Sequence, residues 1–95
     1  MRAYLIFPTS SVPIPSGDLV RIGSSPECEL RIGGDSFVSR RHCSVSFVDD
    51  KLTIVDLNST HGTVVNGNAI GSSPVSIHDG DVLKIGNTEI KVGLQ

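Results

Sequence analysis

The stretch CSVSFVDDKLTI, residues 43–54, carries the clearest structural signal in this chain of 95 residues. Apolar residues alternate with mostly hydroxyl-bearing ones in its first half, which places Cys43, Val45 and Phe47 on one face of an extended segment. The pair Asp49-Asp50 interrupts the alternation, and apolar residues resume after it. Because a period of two is typical of half-buried strands, the stretch predicts a β-hairpin.

Strand-like segments continue on both sides of this hairpin, and no window has a helical period. Two further hairpins are predicted at Asn66-Gly67 and Gly86-Asn87-Thr88, the first because Asn-Gly suits two turn positions with positive φ. The remaining long segment, residues 71–81, is predicted to be a connection. About ten short strands without helices predict an all-β, antiparallel sandwich. The predicted strands are residues 3–7, 12–15, 18–22, 29–32, 43–48, 52–54, 63–65, 68–70, 82–85 and 89–92, and Leu83, Ile85, Ile90 and Val92 are predicted to point inward.

Length and composition indicate one domain over residues 1–95, without a linker or repeat. The net charge of −2 argues against a nucleic-acid binder. No apolar stretch is long enough to span a membrane. Because Cys28 and Cys43 form no disulfide framework and the start does not resemble a signal peptide, we expect reduced thiols and an intracellular location, with nucleus or cytoplasm left open.

Three polar loops follow or precede the predicted strands, at residues 22–25, 39–42 and 58–63. They contain hydroxyls, guanidiniums and backbone N–H groups. A phosphorylated side chain carries a charge of about −1.5 to −2 and three acceptor oxygens, so these groups match its requirements. The loops therefore predict a phosphate-binding site at one end of the sandwich.

The same loops contain residue types used in hydrolytic catalysis and in zinc binding. His42 is a conceivable base for Ser39, but no orienting group or oxyanion site follows at a recognisable spacing. Cys28 and His61, together with His42 and its neighbour Cys43, lack the paired short spacings of zinc sites. We therefore expect no catalytic residue, no metal and no cofactor, and the protein is not expected to be an enzyme.

The order and spacing of the motifs resemble the forkhead-associated (FHA) domain family. These motifs are Ile-Gly at 22–23, Val-Ser-Arg-x-His at 38–42, Leu-Asn-Ser-x-x-Gly-Thr at 57–63 and Val-Asn-Gly at 65–67. Residues 79–86 also look like that family's penultimate strand and its preceding turn. The resemblance implies an FHA/SMAD-like sandwich of about eleven strands. It also implies non-catalytic recognition of phosphothreonine peptides through the loops at one end.

Carried over by position, the resemblance assigns the ligand contacts. Ser39 would hydrogen-bond the phosphate, Arg40 would add its backbone N–H and side chain, and Thr60 would add a donor. His61 stands where the family often has an asparagine that holds the peptide backbone. Arg41 is expected to serve peptide selectivity or solvation.

The resemblance also assigns structural roles in the loops. His42 would tie two loops together from beneath, and Gly62 would lead into the following strand. Gly23 would permit the turn out of the earlier strand. Asn66 would form a tight hairpin away from the centre of the contact surface.

Two positions depart from the family pattern. One is His61, and the other is Ser24, which stands where the family has a phosphate-contacting arginine. Ser24 is still expected to contact the ligand, because its hydroxyl can donate one hydrogen bond, although it carries no charge. Whether Arg21, Arg31, Arg40 or Arg41 compensates is left open. The alternative interpretation is therefore an FHA fold used for phosphate-independent contact or self-association.

The expected partner is a phosphothreonine-containing protein or peptide, and neither nucleic acid nor a membrane is expected to bind. The chain is expected to be part of a longer protein. Glu27, Glu29 and Asp35 near the loops would disfavour acidic peptides or attract a basic side chain.

Overall fold

Eleven β-strands make up the regular secondary structure of the computed structural model, which describes residues 1–7 and 10–95. They form a six-stranded sheet in the order β2-β1-β11-β10-β7-β8 and a five-stranded sheet in the order β4-β3-β5-β6-β9. The all-β sandwich of about eleven strands is confirmed. In the described residues, no helix is long and apolar enough to cross a membrane. The strands are β1 (Ala3–Ile6), β2 (Ser11–Ile14), β3 (Asp18–Gly23), β4 (Leu30–Arg31), β5 (Cys43–Val48), β6 (Lys51–Asp56), β7 (Thr63–Val65), β8 (Asn68–Ile70), β9 (Val75–Ile77), β10 (Val82–Ile85) and β11 (Thr88–Leu94).

The structure differs from the sequence prediction at two strands. β4 contains only two residues and pairs with β3 in parallel, so that Gly23 lies opposite Arg31 and the smaller sheet is mixed. β9 lies inside the segment predicted as a connection, where Ile54 pairs with Val75. β9 is too short to show the alternation that identified the longer strands, whereas β4 occupies the middle of the strand predicted at residues 29–32.

The predicted hairpin turns are confirmed by their backbone angles. Asp49 and Asp50 have φ values of 52° and 59°, and Asn66 and Gly67 have values of 50° and 84°. Two successive positive φ values define the turn that matches the twist of antiparallel strands. The third turn contains two residues rather than three, because Thr88 already pairs with Ile85.

The predicted inner faces pack together in one core between the sheets. The side chains of Cys43, Val45 and Phe47 are at most 1% exposed, as the alternation in residues 43–54 predicts. The same holds for the four predicted inward residues of β10 and β11, namely Leu83, Ile85, Ile90 and Val92.

Strand pairing brings the three polar loops to one end of the sandwich. Cys43, at the start of β5, lies opposite Ile22 near the end of β3 and opposite Asp56 at the end of β6. The segments 24–29, 33–42 and 57–62 therefore leave or enter the sheets at the same end.

Candidate functional site

His42 joins two of the loops from beneath. Its side chain is fully buried, and Nδ1 accepts a hydrogen bond from the Ser39 backbone N–H at 3.1 Å. Nε2 lies 2.8 Å from the Gly62 carbonyl oxygen. Because a carbonyl only accepts and an N–H only donates, the geometry requires a neutral ring with its proton on Nε2. Both ring nitrogens are thus bound to backbone groups, and neither bonds the Ser39 hydroxyl.

Ser39 and Thr60 meet above this histidine, although 21 positions separate them in sequence. The Thr60 backbone N–H donates to Ser39 Oγ at 3.0 Å. A hydroxyl can accept and donate at once, so the Ser39 O–H remains available to donate to a ligand. Ser39 is half-buried and Thr60 is exposed, which places both groups at the surface of the domain.

Ser39 is one of the residues that line an open cleft of about 310 Å³. Its wall combines hydroxyls, one guanidinium and an aromatic ring, which is suited to a polar ligand with an apolar part. The cleft is lined by Ser24, Ser36, Phe37, Val38, Ser39, Arg40, Thr60 and His61. Five of the six predicted ligand-contact residues therefore lie together, and Arg41 lies outside the lining.

Two of the arginines are paired with glutamates beside the cleft. Arg41 bonds Glu27 and Arg21 bonds Glu29, each with an N–O distance of 2.8 Å. The hydrogen bond from Arg21 lowers the pKa of Glu29 to about 2. Both glutamates are thus paired with arginines of the same chain, at exposed positions.

Gly23 allows β3 to approach the loop that carries Ser39 and Arg40. A Cβ at this position would overlap the Arg40 carbonyl oxygen and lie 2.8 Å from the carbonyl carbon and 3.0 Å from the Ser39 oxygen. Two backbone hydrogen bonds hold this approach, from Ser24 N to Ser39 O at 3.0 Å and from Ser25 N to Arg40 O at 3.1 Å. The requirement for glycine at 23 is therefore steric.

Comparison with known proteins identifies the family. Residues 20–86 match the model of the FHA domain. This chain belongs to the FHA domain family. It is 38% identical over 74 residues to the FHA domain-containing protein FhaA of Mycobacterium tuberculosis, covering 75% of this chain and 13% of FhaA. It is 36% identical over 63 residues to the proliferation marker protein Ki-67 of Mus musculus, covering 66% of this chain and 2% of Ki-67.

Solved FHA domains share the whole fold. A structure concerning phosphothreonine-dependent FHA domain interactions superposes with a TM-score of 0.90 at 28% identity, covering 100% of this chain and 98% of that one. The FhaA FHA domain, complexed with the intracellular domain of Rv3910, gives 0.85 at 30% identity, covering 95% and 98%. An FHA domain of an Arabidopsis thaliana protein gives 0.90 at 30%, covering 98% and 85%. The chain spans only a small part of both curated relatives.

Asn66 of this FHA domain lies away from the cleft. Its side chain bonds Asp81 and Val82 at the end of the sandwich opposite the three loops.

Phe37 has a role that the sequence did not indicate. It is 44% exposed on the rim of the cleft and packs edge-to-face on His61, with ring centroids 4.7 Å apart. The sequence feature that could have identified Phe37 as a cleft residue is the presence of a large aromatic side chain within a polar loop.

Two carboxylates, which sequence did not single out as structural, organise the loops. Asp35 accepts hydrogen bonds from the Asn87 N–H and the Thr88 hydroxyl, which ties the 33–42 segment to the β10–β11 turn. Asp56 accepts from the Ser59 N–H and hydroxyl and from the Thr63 hydroxyl, at 2.6–3.1 Å. Burial acts to raise the pKa of Asp56, but these hydrogen bonds outweigh it and hold the pKa below its ordinary value.

Replacing Asp56 by asparagine is expected to lower the free energy of unfolding at pH 7 by about 1–3 kcal/mol. An amide offers one acceptor oxygen, and its NH₂ group would face donors. Because the folded-state pKa is lowered, the carboxylate contributes stability above about pH 4, and that stability is lost as the pH falls through the folded-state value. Urea denaturation across pH should show the deficit shrinking in acid.

Asp50→Asn is the matched control for this variant. Asp50 is exposed at a turn position with φ of 59°, and asparagine tolerates that conformation as well as aspartate does. Equal stability of Asp56→Asn and Asp50→Asn at pH 7 would contradict the assigned role of Asp56.

Proposed function

We propose that this FHA domain is a non-enzymatic interaction module that binds phosphothreonine peptides at the Ser39 cleft. The hydrogen bond between Thr60 N–H and Ser39 Oγ carries the proposal, because it brings two distant loops together and leaves the Ser39 hydroxyl able to donate to a ligand. In this assignment, Ser39, Arg40 and Thr60 hold the phosphate, and His61 positions the peptide.

The chemistry of the cleft supports a phosphate ligand. Arg40 is exposed on its wall, and the described residues include no carboxylate paired with it. A guanidinium and hydroxyl donors are the groups that hold phosphate monoesters in proteins. A solved relative of the same fold concerns phosphothreonine-dependent FHA interactions.

The second candidate is phosphate-independent peptide contact at the same cleft. Ser24 supplies no charge to the lining, and the exposed Phe37 ring offers apolar area beside it. This candidate predicts affinity that follows the apolar residues of the peptide and ignores its phosphate.

Titration with matched peptide libraries distinguishes the two candidates. Each library has a central threonine, either phosphorylated or free, in the same randomised flanking sequence. Phosphopeptide binding predicts that the phosphorylated library binds at least tenfold more tightly, since one charged hydrogen bond is worth about 1.5–3 kcal/mol. Equal affinities would overturn the proposal and favour the second candidate.

A further inference from the structure

Arg40 is the one arginine in the cleft lining, and the guanidinium of Arg31 lies outside that lining, bonded to the Ser24 backbone. Arg31 Nε donates to the Ser24 carbonyl oxygen at 3.0 Å. Ser24 N–H in turn donates to the Ser39 carbonyl at 3.0 Å. Successive hydrogen bonds therefore connect the Arg31 guanidinium through the Ser24 backbone to Ser39, which lines the cleft.

The fold fixes where the Arg31 backbone lies. Arg31 is exposed, and the parallel pairing of β3 with β4 sets it opposite Gly23, next in sequence to Ser24. A guanidinium has five N–H donors, and the contact with Ser24 occupies the one on Nε. The terminal nitrogens are left to bind an anion.

The other arginines near the loops are less suited to this side of the cleft. Arg21 and Arg41 are each 2.8 Å from a glutamate oxygen, whereas no ion pair in the described part of the chain involves Arg31. Arg40 already lines the cleft. One guanidinium balances only part of a phosphate charge of about −1.5 to −2, so a second cation is favoured.

We propose that Arg31 is a ligand-contact residue of this domain and supplies the positive charge that Ser24 lacks. The Ser24 carbonyl orients the guanidinium through Nε, and the terminal nitrogens contact the phosphate or the peptide backbone beside it. This inference rests on the proposed function, because it assigns a further residue to the same site.

Titration of one phosphothreonine peptide and its unphosphorylated twin tests the assignment. Arg31→Gln is expected to weaken binding of the phosphopeptide about tenfold and to leave the weak binding of the twin unchanged. Arg31→Lys is expected to be intermediate, because an ammonium keeps the charge without the planar fork. Lys51→Gln removes the same charge at the opposite end of the sandwich and is expected to change affinity less than about twofold.

A rescue variant makes the test specific to the position. Ser24→Arg is expected to restore phosphopeptide affinity in the Arg31→Gln background. It is expected to add little to the affinity of the wild-type protein, because the new guanidinium and that of Arg31 would contact the same negative charge on the ligand. Additive effects of the two substitutions would contradict a shared role.

The outcomes separate this inference from the proposed function. If the wild-type domain prefers the phosphopeptide and Arg31→Gln binds it within about twofold of wild type, the Arg31 assignment is wrong and the proposed function stands. If the wild-type domain binds both peptides equally, both fail together. A selective loss with Arg31→Gln supports both.

Discussion

Replacing Ser39 by alanine is expected to weaken phosphothreonine-peptide binding by roughly 10- to 150-fold, the range that one charged hydrogen bond spans. The substitution removes a hydroxyl donor from the lining of the cleft. It also removes the oxygen that accepts the hydrogen bond from the Thr60 N–H. That bond joins the 39–42 and 57–62 segments above His42. Isothermal titration with one phosphopeptide measures the loss.

Stability and a matched serine serve as controls for this variant. Because the Ser39–Thr60 bond lies at the surface, its loss is expected to reduce the free energy of unfolding by only about 0.5–1.5 kcal/mol. Ser76→Ala, at an exposed position on β9, is expected to leave both affinity and stability unchanged. A Ser39→Ala domain that binds the phosphopeptide as well as Ser76→Ala does would remove Ser39 from the site.

Replacing Gly23 by alanine is expected to reduce stability and affinity together. The new methyl group would overlap the Arg40 carbonyl oxygen, which is backbone and cannot rotate away. Such overpacking costs about 1–3 kcal/mol. Relief requires β3 to separate from the 39–41 loop, which would break the bonds that Ser24 and Ser25 donate to it and displace the Ser39 hydroxyl. Urea denaturation and peptide titration of the same sample measure both effects.

Gly71→Ala is the control for the Gly23 substitution. A Cβ at Gly71 meets no heavy atom within 4 Å, and its φ lies outside the left-handed region. The control is expected to match wild type in both measurements. A Gly23→Ala domain with wild-type stability would show that β3 does not approach the 39–41 loop as closely as the structure indicates.

Local sequence patterns were sufficient to predict most of the sandwich. Residues 43–54 predicted their hairpin because alternation, a polar turn and renewed alternation occur within twelve residues. Asn66-Gly67 predicted another through its backbone preferences. β9 escaped prediction because its three residues show no period and its pairing depends on β6. A strand was predicted at residues 29–32, but its parallel pairing with β3 was not, because that pairing arises from tertiary structure.

Several residues that line the cleft were predicted from sequence, but the hydrogen bonds between them were not. The motifs identified Ser39, Arg40 and Thr60, whereas the bond between Ser39 and Thr60 depends on how the loops fold together. The pairing of arginines with glutamates also arises from tertiary structure, since Arg41 and Glu27 are 14 positions apart. Asp56 was missed because its partners become apparent only once the 56–63 segment has folded back on itself.

The most direct test of the account maps the peptide footprint on the wild-type domain by two-dimensional ¹H–¹⁵N NMR, with a phosphothreonine peptide and its unphosphorylated twin. We expect the phosphopeptide to shift the amide signals of residues 23–25, 36–42 and 57–62, to leave the opposite end near Asp50 and Asn66 unchanged, and the twin to cause no comparable shifts. Identical shifts with both peptides, or shifts centred away from Ser39, would contradict the proposal that this end of the sandwich recognises phosphothreonine.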